Sequence, residues 1–159
     1  MLDQKYDKAT FAAGCFWGVE AEFRQIKGVI STRVGYIGGH MENPSYEDVC
    51  TDETGHAEAV EITYDQKKVH YENLLKVFWQ NHNPTQLNRQ GPDVGTQYRS
   101  AIFYHNKNQK EAALKSLKEE QKNYKAKIVT EILKATKFNE AEDYHQQYLE
   151  KRGLSTCHI

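Results

Sequence analysis

Short strand-like runs alternating with amphipathic helical ones, in a chain of 159 residues, predict an α+β fold. The expected form is a single-domain two-layer sandwich, a small mixed β-sheet with flanking helices and long active-site loops. Three observations carry this. The strand-like runs are too brief for a large doubly wound sheet. The length suits one hydrophobic core better than two. No repeat, low-complexity segment or linker divides the chain, so residues 1–159 are expected to form a single domain.

Lys8 to Ala13 is a short apolar run suited to a buried strand. From Cys15 the period changes: Phe16, Val19, Phe23 and Ile26 fall on one helical stripe, while Glu20, Glu22, Arg24 and Lys27 are expected to face away. Gly28 is a suitable stop, and the β-branched run Val29 to Ile37 reads as a strand. Residues 35–55, with Gly35, Gly38, Gly39, Gly55 and Pro44, read as largely loop. Glu58, Val60, Ile62 and Tyr64 then alternate with Ala57, Ala59, Glu61 and Thr63, which is strand periodicity. Tyr71, Leu74, Leu75, Phe78, Trp79 and His82 form a helical stripe. A second long loop from Pro84 to Tyr98 leads to a strand from Arg99 to Tyr104. A charged helix follows from Asn108 to Tyr124, with Leu114, Leu117 and Tyr124 inward. A last strand at Ile128 to Leu133 and a helix from about Glu140 to Lys151 complete the order. Ferredoxin-like connectivity is the expected arrangement.

Composition narrows the function. The chain is 38% hydrophobic and 27% charged with a net charge of -1, which gives no electrostatic reason for nucleic acid or an anionic membrane as partner. The basic run between Lys107 and Lys127 is interrupted by Glu111, Glu119 and Glu120 and reads as a solvated helix face. The first residues lack a secretory h-region, and no stretch approaches 18 apolar residues. Three widely spaced cysteines, Cys15, Cys50 and Cys157, are not a secreted disulfide framework. A cytoplasmic protein with functional thiols, without cofactor or metal and expected as a monomer, is the reading.

The sharpest local signal is Gly14-Cys15-Phe16-Trp17-Gly18, at a strand-to-helix junction. A thiol in the first turn of a helix feels unpaired backbone N–H groups and the positive dipole end, and both favour thiolate. The alternative is an inert buried cysteine. Trp17 is out of phase with the buried stripe, leaving its ring available to wall an apolar pocket beside the sulfur. Glu58 shares the strand face of Val60, Ile62 and Tyr64, where desolvation raises a carboxyl pKa toward a value useful to a general acid. Its alternative is a carboxylate satisfied by arginine or backbone donors. Tyr46, Asp93 and Tyr98 lie in the two long loops, where most tyrosines are packing residues.

Together these residues resemble the peptide methionine-(S)-sulfoxide reductase family, strongly from Phe11 through Ser100 and more loosely to the end. Gly14-Cys15-Phe16-Trp17-Gly18 matches the family's catalytic motif. Asn43-Pro44-Ser45-Tyr46, Gly55-His56-Ala57-Glu58 and Gly95-Thr96-Gln97-Tyr98-Arg99-Ser100 match three further blocks in order. The resemblance implies Cys15 as nucleophile, Glu58 as the acid on the sulfoxide oxygen and Tyr46 as a donor to it. It places Tyr98 and Asp93 in the substrate pocket and Phe16 and Trp17 around the S-methyl group. Cys157, in a terminal tail of about residues 152–159 expected to be mobile, matches the resolving cysteine, with thioredoxin as reductant. Oxidised proteins or peptides and free methionine sulfoxide are the implied substrates. The chain departs from the family in having Asn83 within His82-Asn83-Pro84, a Gly153-Leu154-Ser155-Thr156 approach to Cys157, and no further recycling cysteine. Cys50 is read as a bystander.

Three other classes compete. His56-Ala57-Glu58 is formally half of a zinc deaminase signature, without the P-C-x-x-C half. Cys15 paired with His56 or His82 would make a cysteine hydrolase. A peptide-binding domain without catalysis is the third.

Overall fold

The computed structural model describes residues 6–152. In chain order the elements are β1 (Tyr6–Ala13), α1 (Phe16–Arg24), β2 (Val29–Ile37), α2 (Tyr46–Cys50), β3 (Ala57–Asp65) and α3 (Tyr71–Gln80). They continue as β4 (Arg89–Gln90), β5 (Asp93–Val94), β6 (Ser100–Tyr104), α4 (Lys107–Glu120), β7 (Glu131–Lys134), β8 (Asn139–Glu140) and α5 (Tyr148–Lys151). The main sheet runs β7-β6-β1-β3-β2-β8, while β4 and β5 form a separate hairpin.

Its centre, β6-β1-β3-β2, is antiparallel throughout. In that order α1 links β1 to β2 across β3, and α3 links β3 to β6 across β1. This is the split βαβ arrangement of the ferredoxin-like fold expected from the sequence. β7 adds in parallel beside β6 and β8 antiparallel beside β2, so the sheet is mixed. Among the described residues no helix is long and apolar enough to cross a membrane.

Strand alternation assigns the two faces. Ala9, Phe11 and Ala13 of β1, Val60 and Ile62 of β3 and Ile102 of β6 join Phe16, Phe23, Leu74 and Phe78 from the helices in one core. Phe11 stacks on Phe23 at 5.2 Å and on Phe78 at 5.3 Å, fixing both helices over the same strand. The opposite face carries small residues, Ala12, Ala57, Ala59 and Ala101 with Ile37 and Phe103, on which Ala135 and Phe138 pack. Both faces of β1 are therefore covered from Ala9 to Ala13, where every residue is buried.

Four expectations change. Glu20 does not face away: it is 1% exposed, because Thr32 and Gln147 supply its donors from outside the helix. The first helix stops at Arg24 rather than reaching Ile26; the chain turns back through Gly28, at φ 104°, whose carbonyl accepts from Asp65 N–H at 2.8 Å. Leu114 is 50% exposed, since the buried stripe of α4 runs through Gln109 and Ala113, with Leu117 and Tyr124 partly buried beside the core. The closing helix is only α5; β8 and a 3₁₀ turn at Asp143–His145 precede it. The glycine-rich loop also contains α2, started by a reciprocal box in which Ser45 accepts from Asp48 N–H and Asp48 from Ser45 N–H.

Candidate active site

Cys15 is half-buried at the N-cap of α1, directly after the last residues of β1. Its carbonyl accepts from Val19 N–H at 3.4 Å, opening the helix. Gly14 makes the turn possible. It adopts φ 99°, and a Cβ there would stand 3.0 Å from Gln90 Cβ in the β4–β5 hairpin, so only glycine suits both the dihedral and the contact. The helix start leaves orphan N–H groups beside the thiol.

One of those orphans is already taken. Glu58, on the helix-facing side of β3, is 1% exposed, and its Oε1 accepts from Phe16 N–H at 3.3 Å. Its Oε2 is buried and has no hydrogen-bond partner among the described residues. Burial pushes the Glu58 carboxyl up to about 8; the Phe16 N–H works against this, and the negative charge of Asp93 adds to it. The group is thus largely protonated at neutral pH. Among the described residues its proton meets no acceptor.

Two tyrosines from the long loops come to the same place. Burial raises Tyr98 to about 12, helped by the charges of Glu58, Asp93, Cys50 and Cys15, which places all four within electrostatic reach of its hydroxyl. Burial likewise raises Tyr46, with further contributions from the Cys50 thiol, Tyr98 and Glu58. Both phenols stay protonated and can donate. The loops are tied together where Asp52 accepts from Thr96 N–H at 2.8 Å and from the Thr96 hydroxyl. Cys15, Glu58, Tyr46, Tyr98 and Asp93 therefore converge from four elements and loops.

The family model described as peptide methionine sulfoxide reductase matches residues 7–159. The chain belongs to that family. The peptide methionine sulfoxide reductase of Methanothermobacter thermautotrophicus is 60% identical over 161 residues, covering 100% of this chain and 95% of that one. That of Methanosarcina acetivorans is 64% identical over 150 residues, covering 93% and 80%. Among solved structures, methionine sulfoxide reductase A of Corynebacterium diphtheriae superposes with a TM-score of 0.92 at 38% identity, covering 98% of this chain and 79% of that one. Reduced Mxr1 of Saccharomyces cerevisiae gives 0.90 at 36% identity, covering 96% and 88%. Mxr1 has also been solved in complex with Trx2. As a peptide methionine sulfoxide reductase, the chain is an oxidoreductase.

The aromatic residues of this reductase divide. Phe16 is a core residue, its ring 5.7 Å from Tyr36 and 5.2 Å from His145. Trp17 is half-buried: its indole N–H donates to His145 Nδ1 at 2.9 Å, and its ring stacks on Tyr148 at 3.7 Å. Cys157 lies outside the described residues.

Sequence reasoning missed a supporting layer. The Tyr36 hydroxyl donates to Glu142 Oε1 at 3.0 Å, and Glu142 Oε2 accepts from Tyr46 N–H at 2.9 Å. Burial alone would raise Glu142, but these two donors, with its own backbone N–H and the charge of His145, outweigh it and hold its pKa below the ordinary value. Glu142 thus anchors the helix that carries Tyr46 to the sheet. The only forward signal was the phase of Tyr36 with Val34; Glu142 and His145 were hidden in a run that reads as a regular helix.

The histidines a hydrolase would need are engaged elsewhere. His56 Nδ1 accepts from Gly39 N–H at 3.0 Å, and Nε2 lies 2.6 Å from the Met41 carbonyl. His82 bonds to the Phe78 carbonyl and the Ser100 hydroxyl, both at 2.7 Å, and burial lowers it to about 4. Both nitrogens of each ring are thus taken by partners other than Cys15.

Proposed function

We propose that the protein reduces the S epimer of methionine sulfoxide, in peptides and as the free amino acid, through a Cys15 sulfenic acid. The Cys15 thiolate attacks the sulfoxide sulfur, and Glu58 passes its proton to the sulfoxide oxygen as negative charge builds there. Transfer of that oxygen to Cys15 releases the thioether and leaves Cys15 as sulfenic acid. Tyr46 and Tyr98 donate hydrogen bonds to the oxygen, and Asp93 helps hold Glu58 protonated. Trp17 and Phe16 wall the space for the S-methyl group.

The Cys157 thiol then condenses with the Cys15 sulfenic acid, forming the disulfide and releasing water. A dithiol protein of the thioredoxin class reduces that disulfide by exchange and becomes oxidised itself. The complex between yeast Mxr1 and Trx2 supports this choice of reductant. Residues 1–159 act as one catalytic domain and one monomer.

The observation that carries the proposal is the setting of Glu58: one oxygen is fixed by the first amide of the thiol-bearing helix, the other is buried without a partner among the described residues, and burial raises the carboxyl to about 8. Such a group is prepared to give a proton beside Cys15, and a structural carboxylate would not be left in that state. The test is dithiothreitol-driven reduction of separated S and R epimers of a dabsylated methionine sulfoxide. Turnover confined to the S epimer supports the proposal; equal turnover of both contradicts its stereochemistry, and no turnover contradicts its chemistry.

A further inference from the structure

The reaction requires a peptide substrate to lay its neighbouring residues against the protein around Cys15, and the surface there has a definite chemical character. A cleft of about 380 Å³ opens onto Cys15 between α1 and the β4–β5 hairpin. One wall carries Gly18 and Glu22 of α1, the other Gln90 and Asp93 of the hairpin, and Asn81 closes the end. Among the described residues no lysine, arginine or histidine lines it.

Glu22 has a fixed relation to the thiol. It follows Cys15 by seven residues, with Val19 between them at the fourth, so all three share one face of the helix. Seven residues span about 10 Å along the axis. A residue adjacent to the methionine sulfoxide, with a long side chain, covers that distance. Neither the Glu22 nor the Asp93 carboxylate has a hydrogen-bond donor or an ion-pair partner among the described residues, whereas Arg24 nearby is committed to Glu150 and Arg89 to the Gly91 carbonyl.

We propose that this cleft is a subsite for the residue flanking the oxidised methionine, and that Glu22 and Asp93 make it select a cationic side chain, lysine or arginine, over an acidic one. The inference rests on the reductase reading given above. Glu22 acts on substrate choice and takes no part in the proton transfer. Both carboxylates are partly solvated, so the preference is moderate and weakens with salt.

The experiment uses the full chain and two pairs of short peptides. Each pair differs only in carrying lysine or glutamate, directly before the methionine sulfoxide in one pair and directly after it in the other. kcat/KM is measured at low ionic strength for the wild type, Glu22→Gln and Glu22→Lys. In at least one pair the wild type favours lysine by about tenfold, as expected for attraction replaced by repulsion at partly exposed sites. Glu22→Gln reduces that ratio to about threefold, and Glu22→Lys brings it to one or inverts it. Added salt lowers the wild-type ratio. The same lysine-to-glutamate ratio in all three proteins overturns the subsite, as does a wild-type ratio of one in both pairs. Failure of the reductase reading looks different: the wild type then reduces none of the four peptides.

Discussion

Glu20 and Glu58 are buried to the same depth, each 1% exposed, yet their surroundings prepare them for opposite work. Glu20 receives Gln147 N–H at 2.8 Å on one oxygen, and the Thr32 hydroxyl at 2.7 Å and the Gln147 side-chain amide at 2.9 Å on the other. Those donors stitch α1 to β2 and to the chain just before α5. Among the described residues Glu58 receives one donor, from the helix amide next to Cys15, and its second oxygen has none. Burial alone therefore does not mark a reactive carboxyl. The number of donors that meet it does, because each donor stabilises the charged form that desolvation penalises.

Removing the proposed nucleophile is the harshest way to test the contrast. Cys15→Ser is expected to bring sulfoxide reduction to background with the fold intact, measured by epimer-resolved turnover and circular dichroism. Glu58→Gln comes next. Loss of a general acid costs about 10²- to 10⁴-fold in rate. The wild-type rate falls as pH rises through about 8, where Glu58 ionises, and the variant lacks that limb.

Stability separates the two carboxyls in the opposite sense. Glu58 has its folded pKa raised from 4.5 to about 8. The native state thus holds a proton that the unfolded state has lost over this range, and the group lowers stability progressively as pH climbs from 4.5 through 8. The shift corresponds to about 5 kcal/mol at its full extent. Glu58→Gln removes that penalty but leaves an amide N–H without an acceptor, at about 1–3 kcal/mol. The variant is expected to be a few kcal/mol more stable than wild type above pH 8, and no more stable below pH 4.5, by urea unfolding across pH. Glu20→Gln is expected to lose about 1–3 kcal/mol at neutral pH, since it puts an N–H where two donors now meet a carboxylate.

Glu142→Gln acts more gently. It disturbs the link between Tyr36 and Tyr46 N–H, and is expected to lower kcat by about tenfold while leaving KM near its original value, as for a contact that matters most in the transition state. Tyr36→Phe, which removes one of the two donors, gives a smaller loss of the same kind. Leu114→Lys serves as the floor: an exposed position away from the site changes stability by no more than about 0.5 kcal/mol.

The difference between the carboxyls also explains what the sequence could show. Glu58 was legible because its phase with Val60, Ile62 and Tyr64 is a local property of one strand. The motif around Cys15 was legible for the same reason. Glu20 was misread because its donors lie on Thr32 and on Gln147, and helical phase cannot anticipate a polar partner 127 residues away. Leu114 failed in the converse way: its helix meets the core through Gln109, whose amide donates to the Lys8 carbonyl at 2.7 Å. Periodicity that counts only apolar residues passes over such an anchor. The run from about Glu140 to Lys151 has helical composition, but Gln146 spends its side chain on both the N–H and the carbonyl of Val34, at 2.9 Å each, and Gln147 adopts φ 48°. Sheet-edge bonding won over helix there, and with it came the placement of Glu142 and His145.

The protonation of Glu58 at neutral pH is the claim on which the proposed chemistry stands. Difference infrared spectroscopy between wild type and Glu58→Gln, titrated in pH, reads it directly through the carbonyl stretch of a protonated carboxyl. A band present at pH 7 and lost with a midpoint near 8 is the expected result. A band already absent at pH 7, titrating near the ordinary carboxyl value, would contradict it.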